Sequence, residues 1–207
     1  MTVRLVCQSA SLLLTYPGEG WAETLSLVAG SLADSRETPA RTLADFCADI
    51  AAVPALELGE RYVATFDRSR RRTLFMTYYT DGDTRARGAR LADMKALYRT
   101  HGWGLGDDGE LPDFLPVMLE FAARVPAPGV ALLTDHRPGL ELLRLALEDA
   151  KSGYAAVLRA LCAVLPGASP RDRKEARELA RTGPPTETVG LESGFGPVRA
   201  PGEGSRR

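Results

Sequence analysis

Tyr62 to Gly88 reads YVATFDRSRRRTLFMTYYTDGDTRARG, and the reading of its middle, LFMTYY at 74–79, decides the fold class. Aromatic residues and threonine suit a strand, and a strand here would need a partner. No stretch nearby shows the sustained apolar/polar alternation of a half-buried strand. Thr73 to Thr80 is therefore assigned to helix, and its flanks agree. Leu58, Tyr62, Val63 and Phe66 recur at helical spacing before it, and Leu91, Met94, Leu97 and Tyr98 do so after it. Asp81-Gly82-Asp83 is turn chemistry, with Asp83 or Thr84 placed to cap the helix that follows.

The same period extends outward in both directions. Leu5, Val6, Ser9, Leu12, Leu13 and Tyr16 share one face of a first helix, ended by Pro17-Gly18. Trp21, Leu25, Val28 and Leu32 form the stripe of a second. Leu43, Phe46, Cys47 and Ile50 form that of a third, with Thr38 as its N-cap and Pro39 at its first position. Residues 101–109, rich in glycine, read as a flexible loop. Asp113 reads as the N-cap of a helix running through Phe121, and Leu140 to Leu165 reads as one last long helix stopped by Pro166-Gly167. The prediction is an all-α protein with a single helical domain over 1–166. A charged segment follows over 167–181, able to form a short helix, and then a disordered tail over 182–207, where Gly, Pro and charge leave little to bury.

Composition narrows the function classes. Lys+Arg 26 against Asp+Glu 27 leaves a net charge of −1, so the arginines of 68–72 are a local feature and not the basic excess of a dedicated nucleic-acid module. No run reaches the ~20 apolar residues of a membrane helix, and the N-terminus lacks the signal-peptide pattern; a cytoplasmic chain without membrane insertion is expected. With two histidines, His101 and His136, and no CxxC or HExxH spacing, no metal site is expected. Cys7, Cys47 and Cys162 sit among apolar neighbours and are expected in the core. There is no GxSxG, P-loop or GxGxxG. Asp113 and Glu120 are the one tempting carboxylate pair for a hydrolase. Seven residues apart on a helix, they would lie roughly 10 Å from each other, wide for such chemistry. The plainer reading has Asp113 as a cap and Glu120 paired with an arginine. No catalytic residue is expected.

Two readings of the arginines stay open. One is a solvated face whose charges are met within the helix, as by Asp83 and Arg87 at a spacing of four. The other is a patch that reads an anion or an acidic protein. In its extreme form this is a helical nucleotide or nucleic-acid binding protein using Arg68 to Arg72, with Phe66, Phe75, Tyr78 and Tyr79 to stack bases.

Four stretches carry a resemblance: LLLTYP at 12–17, YVATFD at 62–67, LFMTYYTDGDTRARG at 74–88 and ELPDFLPVMLEFAA at 110–123. In order and spacing they are similar to the nitrate reductase delta subunit, within the redox-enzyme maturation chaperones, over roughly residues 8–166. The resemblance implies an all-helical assembly chaperone and not an enzyme. Such a protein binds the N-terminal segment of the catalytic (alpha) subunit of respiratory nitrate reductase in the cytoplasm. It keeps the apo-subunit competent for insertion of the molybdenum bis(molybdopterin guanine dinucleotide) cofactor and delays its docking on the membrane-anchoring subunit. It holds no cofactor permanently, although the client's cofactor passes close by, and molybdenum cofactor biosynthesis proteins are further implied partners. An apolar groove with a polar rim suits that task. The client-binding candidates are Tyr62, Phe66, Arg70, Arg71, Leu74, Tyr78, Tyr79, Asp83, Arg87, Asp113, Leu115 and Leu119. The family commonly carries an acidic-Pro-x-Asp-His pattern. Here Glu110-Leu111-Pro112-Asp113-Phe114 places Phe114 where that histidine would stand, so a role needing an imidazole has no bearer at this position.

Overall fold

In the computed structural model, which describes residues 2–82, 85–105 and 109–182, the described residues form eleven α-helices and no strand beyond a single isolated bridge. The central helix is α1 (Thr2–Leu13), which packs against α2 (Trp21–Leu32), α3 (Thr38–Ile50), α7 (Leu115–Arg124) and α10 (Ala155–Val164). It buries Val6, Cys7, Ser9, Ala10, Ser11 and Leu13, more than one face, and its small residues let neighbours approach closely. The Ser11 hydroxyl donates to the Pro116 carbonyl at 2.8 Å, fastening α1 to α7. Tyr16, expected on the buried face, is 53% exposed, because the helix stops at Leu13 and position 16 leaves its register.

The stripes of α2 and α3 are buried at the positions the spacing predicts. Thr38, however, is the first residue of α3, and Glu37 in extended conformation takes the cap position without a side-chain bond. All three cysteines are buried. Burial pushes the Cys7 thiol up to about 12 and that of Cys47 to about 11, and Cys162 moves in the same direction; these are protonated core groups.

After α4 (Ala55–Tyr62) come a π turn (Val63–Asp67), a 3-10 turn (Arg70–Arg72), α5 (Thr77–Asp81) and α6 (Arg85–Thr100). Only the second half of the 73–80 segment is helical. Thr73 is extended, and Phe75 forms an antiparallel bridge with Phe114. The bridging partner, 39 positions away in sequence, is part of no alternating pattern that a local reading could detect.

The long helix read from Leu140 to Leu165 is two. α8 (Pro126–Asp135) and α9 (Arg137–Asp149) are followed by a break over 150–154, with Lys151 at φ 51°, before α10 packs back on α9. Leu147 and Tyr154 are seven residues apart and both buried, so the apolar period runs through the break and hides it. Where α8 meets α7, a Cβ on Gly129 would lie 2.3 Å from the Ala122 Cα, so glycine alone permits that approach. No helix among the described residues is long and apolar enough to cross a membrane.

A buried charge cluster fastens the chain beyond α10. Glu141, fully buried, accepts from Arg137 Nη2 at 3.2 Å, from Arg144 Nε at 2.6 Å and from the Ser169 hydroxyl at 2.7 Å. Arg137 also donates to the Pro166 carbonyl at 2.7 Å, and Arg144 donates to that of Pro170 at 2.7 Å. Segment 166–170 is thereby clasped to α9, and α11 (Arg173–Thr182) packs on α9 beyond it. The tail read as disordered over 182–207 lies, from 183 on, outside the described residues.

Glu141→Ala leaves two buried guanidinium groups without their shared partner and is expected to cost about 3–5 kcal/mol in urea unfolding; a loss under about 1 kcal/mol would show that the clasp does not hold the fold. His136, buried at the α8–α9 elbow, has its Nδ1 2.9 Å from the Leu132 carbonyl, and burial lowers its pKa below 6.5. The unfolded chain therefore takes up this proton first, so stability is full above about pH 6.5 and is lost as pH falls through that value. Melting temperature should drop from about pH 7.5 to about pH 5.5, and His136→Asn should flatten that slope.

Candidate functional site

The bridge at Phe75 and Phe114 joins two loops into one corner. Met76 N–H donates to the Asp113 carbonyl at 2.9 Å, Leu115 N–H donates to that of Leu74 at 2.8 Å, and the two phenyl rings stand 5.3 Å apart. Phe114, at the position where the family pattern carries histidine, is thus a packing partner for Phe75. Just behind it Tyr98, from α6, donates its hydroxyl to the Pro112 carbonyl at 2.7 Å.

Asp113 occupies the centre of this corner and is fully buried. It does not cap α7, as its position in sequence suggested; Phe114 holds that cap position, and the Asp113 carboxylate turns to the start of α5 instead. Oδ2 accepts from the Thr77 N–H at 3.2 Å and, in a short bond, from the Thr77 hydroxyl. Arg87 of α6 closes the group, with Nη2 3.5 Å from Asp113 Oδ2 and Nε donating to Thr77 Oγ1 at 3.0 Å. One carboxylate therefore caps a five-residue helix that could hardly stand alone and ties it to α6 and α7. A second tie, Arg90 Nε to Asp81 Oδ2 at 2.6 Å, holds the other end of α5. Arg87 thus makes a long-range contact, and the intrahelical pairing read for it with Asp83 falls on a residue outside the described ones.

Against the corner lies a pocket of about 300 Å³. Tyr62, Phe66, Leu74, Phe75, Tyr78 and Phe114 supply its apolar lining, and Asp67, Ser69, Arg70 and Thr73 its polar positions. Its back wall is closely packed. The rings of Tyr62 and Phe66 stand 4.9 Å apart, Phe66 and Tyr154 are again 4.9 Å apart, and the Tyr62 hydroxyl donates to the Leu14 carbonyl at 3.0 Å. Tyr78 and Phe75 are half-buried and present ring surface to the opening, whereas Leu115 and Leu119 are fully buried behind the corner. Tyr79 turns to the other side of α5, its hydroxyl donating to the carbonyls of Arg71 and Thr73 at 3.1 and 3.0 Å.

The arginine run is divided by the fold. Arg72 folds inward and donates through Nε to the Thr65 carbonyl at 2.7 Å, satisfying the end of the π turn. Arg70 and Arg71 are exposed, and Arg70 lines the pocket. The carboxylate pair considered for hydrolysis does not form, because Asp113 is enclosed and Glu120 pairs with Arg124 at 3.0 Å on the surface. Among the described residues no group of three or more His, Cys, Asp or Glu is placed to hold a metal ion. Sequence reading did not place Thr77, Phe75 or Phe114 among the client-binding residues. A threonine inside an aromatic run carries no local signal of a capping role, and the two phenylalanines meet only through the bridge.

Comparison with known proteins is concordant. The family model described as nitrate reductase delta subunit matches residues 29–160. The "Nitrate reductase-like protein NarX" of Mycobacterium tuberculosis is 40% identical over 162 residues, covering 76% of this chain and 24% of that protein. This chain thus spans about a quarter of the length of the Mycobacterium relatives it matches. The "Probable nitrate reductase molybdenum cofactor assembly chaperone NarJ" of Bacillus subtilis is 31% identical over 174 residues, covering 83% of this chain and 94% of that one. A solved structure from Archaeoglobus fulgidus, described as a redox enzyme maturation protein, superposes with a TM-score of 0.58 at 24% identity, covering 77% of this chain and 91% of that one, and shares its fold.

The corner makes its own prediction. Asp113→Ala should destabilise the chain by about 3 kcal/mol and Thr77→Val by about 1–2 kcal/mol. The double variant should fall short of their sum by at least about 0.5 kcal/mol, because both remove one shared bond. Additive losses in urea melts would show that the two side chains do not act together.

Proposed function

The chain belongs to the nitrate reductase delta subunit family, and on that premise we propose that it is an assembly chaperone for a nitrate reductase catalytic subunit, binding without turnover. Its client segment is the N-terminal stretch of that subunit, engaged in the cytoplasm. Binding keeps the apo-subunit open to insertion of the molybdenum bis(molybdopterin guanine dinucleotide) cofactor, delivered with molybdenum cofactor biosynthesis proteins, and delays docking on the membrane subunit. The cofactor is cargo for the client and is not held permanently by this chain.

The observation that carries this reading is the pocket at the Phe75–Phe114 corner, with aromatic walls and a rim that includes Arg70. An amphipathic helix or turn places one or two apolar anchors in such a pocket and leaves its polar face to the rim. At about 300 Å³ the pocket accepts an anchor side chain and not a whole helix, so the rest of the client segment runs over its mouth. Tyr78 and Phe75 are the wall residues that are only half-buried. They can contact a client without being needed to close the core, unlike Tyr62, Phe66 and Leu74. Asp113, the buried carboxylate of the corner, is engaged through Oδ2 with Thr77 and Arg87 in holding α5 and α6.

Calorimetry with a synthetic peptide of the catalytic subunit's N-terminus should show saturable binding to the folded chain. Tyr78→Ala should weaken it by at least about tenfold, the size of an interface anchor, while the melting temperature moves little. A peptide that does not bind, or that binds the Tyr78→Ala chain equally well, would remove this pocket as the client site.

A further inference from the structure

On the far side of the Arg70–Arg72 turn lies a second depression, of about 330 Å³, lined by four arginines: Arg70 and Arg71 from the turn, Arg173 and Arg177 from α11. The two pairs are a hundred residues apart in sequence, so this is a charge cluster made by the fold. Among the described residues Arg173 has an ion pair, with Asp149 at 2.7 Å, while Arg70, Arg71 and Arg177 have none. Three carboxylates of α9 and α11 are engaged with other groups. Glu141 is held by Arg137 and Arg144, Glu148 by Arg144 and Arg159, and Glu175 accepts from the Arg171 N–H at 2.7 Å. A chain of net charge −1 thus gathers three unpaired positive charges at one concavity, an arrangement whose mutual repulsion an anion relieves.

The cluster is also held in place. The Tyr79 hydroxyl pins the arginine turn through the Arg71 carbonyl, and Gly139 of α9 lets the Tyr79 ring lie close, since a Cβ there would be 3.1 Å from the Tyr79 Cβ. The Glu141 clasp fixes the start of the segment that carries Arg173 and Arg177. The rest of the lining is apolar and aromatic, from Leu142, Ala146, Tyr78 and Tyr79.

We propose that this depression is a binding subsite for a diphosphate, either inorganic pyrophosphate or the diphosphate of a nucleotide. Guanidinium forks pair bidentately with phosphate oxygens. A diphosphate concentrates its charge on adjacent phosphorus centres, as a pocket of this size requires, whereas an acidic peptide spreads its carboxylates along a chain. The apolar and aromatic lining beside the arginines gives a nucleoside a surface to lie on. The subsite is separate from the proposed client pocket, sharing Arg70 and Tyr78 at the boundary.

The test is calorimetry on the full chain at low salt, with pyrophosphate, with GDP and with a heptaglutamate peptide. It is repeated on the Arg71→Gln/Arg177→Gln double variant, which leaves the lining of the aromatic pocket intact; both side chains are exposed, and a melting curve verifies the fold. Pyrophosphate or GDP should bind saturably, and the double variant should lose at least about tenfold in affinity. Equal affinities assign the source to the phosphates alone, and tighter GDP assigns it to a nucleotide. No saturable binding of either at about 1 mM, binding that survives the double variant, or binding of heptaglutamate in their place would each overturn the proposal.

Discussion

The carboxylate of Asp113 is withdrawn completely from water, and the groups that compensate it come from elsewhere in the chain: the backbone and hydroxyl of Thr77 and the guanidinium of Arg87. A buried charge left without such partners would cost several kcal/mol, so its presence specifies the local arrangement sharply. The first turn of α5 must lie over it, α6 must bring Arg87 to it, and the loop before α7 must present it. The Phe75–Phe114 bridge lies beside that carboxylate, flanked by the Met76 and Leu115 backbone bonds, and the aromatic pocket opens against the same corner. Glu141 plays the corresponding part on α9, where it clasps the chain beyond Pro166 and so sets where α11 lies.

In both places the charged group acts on structure, and the surface it organises is available for binding. Asp113 and Glu141 are shut away, while Phe75, Tyr78, Arg70, Arg71 and Arg177 reach the surface around two adjoining depressions. A binding protein needs this division of labour: rigid backing, and a face whose residues are not needed to hold the core. The neighbouring aromatic and basic pockets also give the single sequence run at 66–79 two different chemical characters, separated by the inward turn of Arg72.

Much of the fold was legible in the sequence. The stripes Trp21, Leu25, Val28, Leu32 and Leu43, Phe46, Cys47, Ile50 are buried as their spacing requires, because an amphipathic helix on a single core has one face to hide. Glu120 pairs with an arginine as expected from its neighbourhood. The misreadings share a cause. The position of Asp113 suggests a cap for its own helix, and the apolar period alone suggests continuity across 150–154. The Asp113 carboxylate instead meets Thr77, 36 residues away, and the break before α10 lies where the apolar period continues.

The sequence by itself determined the helical class, the buried stripes, the absence of recognisable local catalytic and metal-binding motifs, and, through four ordered stretches, the family. These are properties of residue type and short-range spacing, which helical geometry converts directly into faces and caps. Only the tertiary structure decided that Asp113 caps α5, that Phe75 meets Phe114, that the last apolar run is broken, and that Arg70 and Arg71 face Arg173 and Arg177. The reason is physical: buried charges, bridges and clustered guanidinium groups depend on distances between segments far apart along the chain. Those distances are set by how the whole core packs.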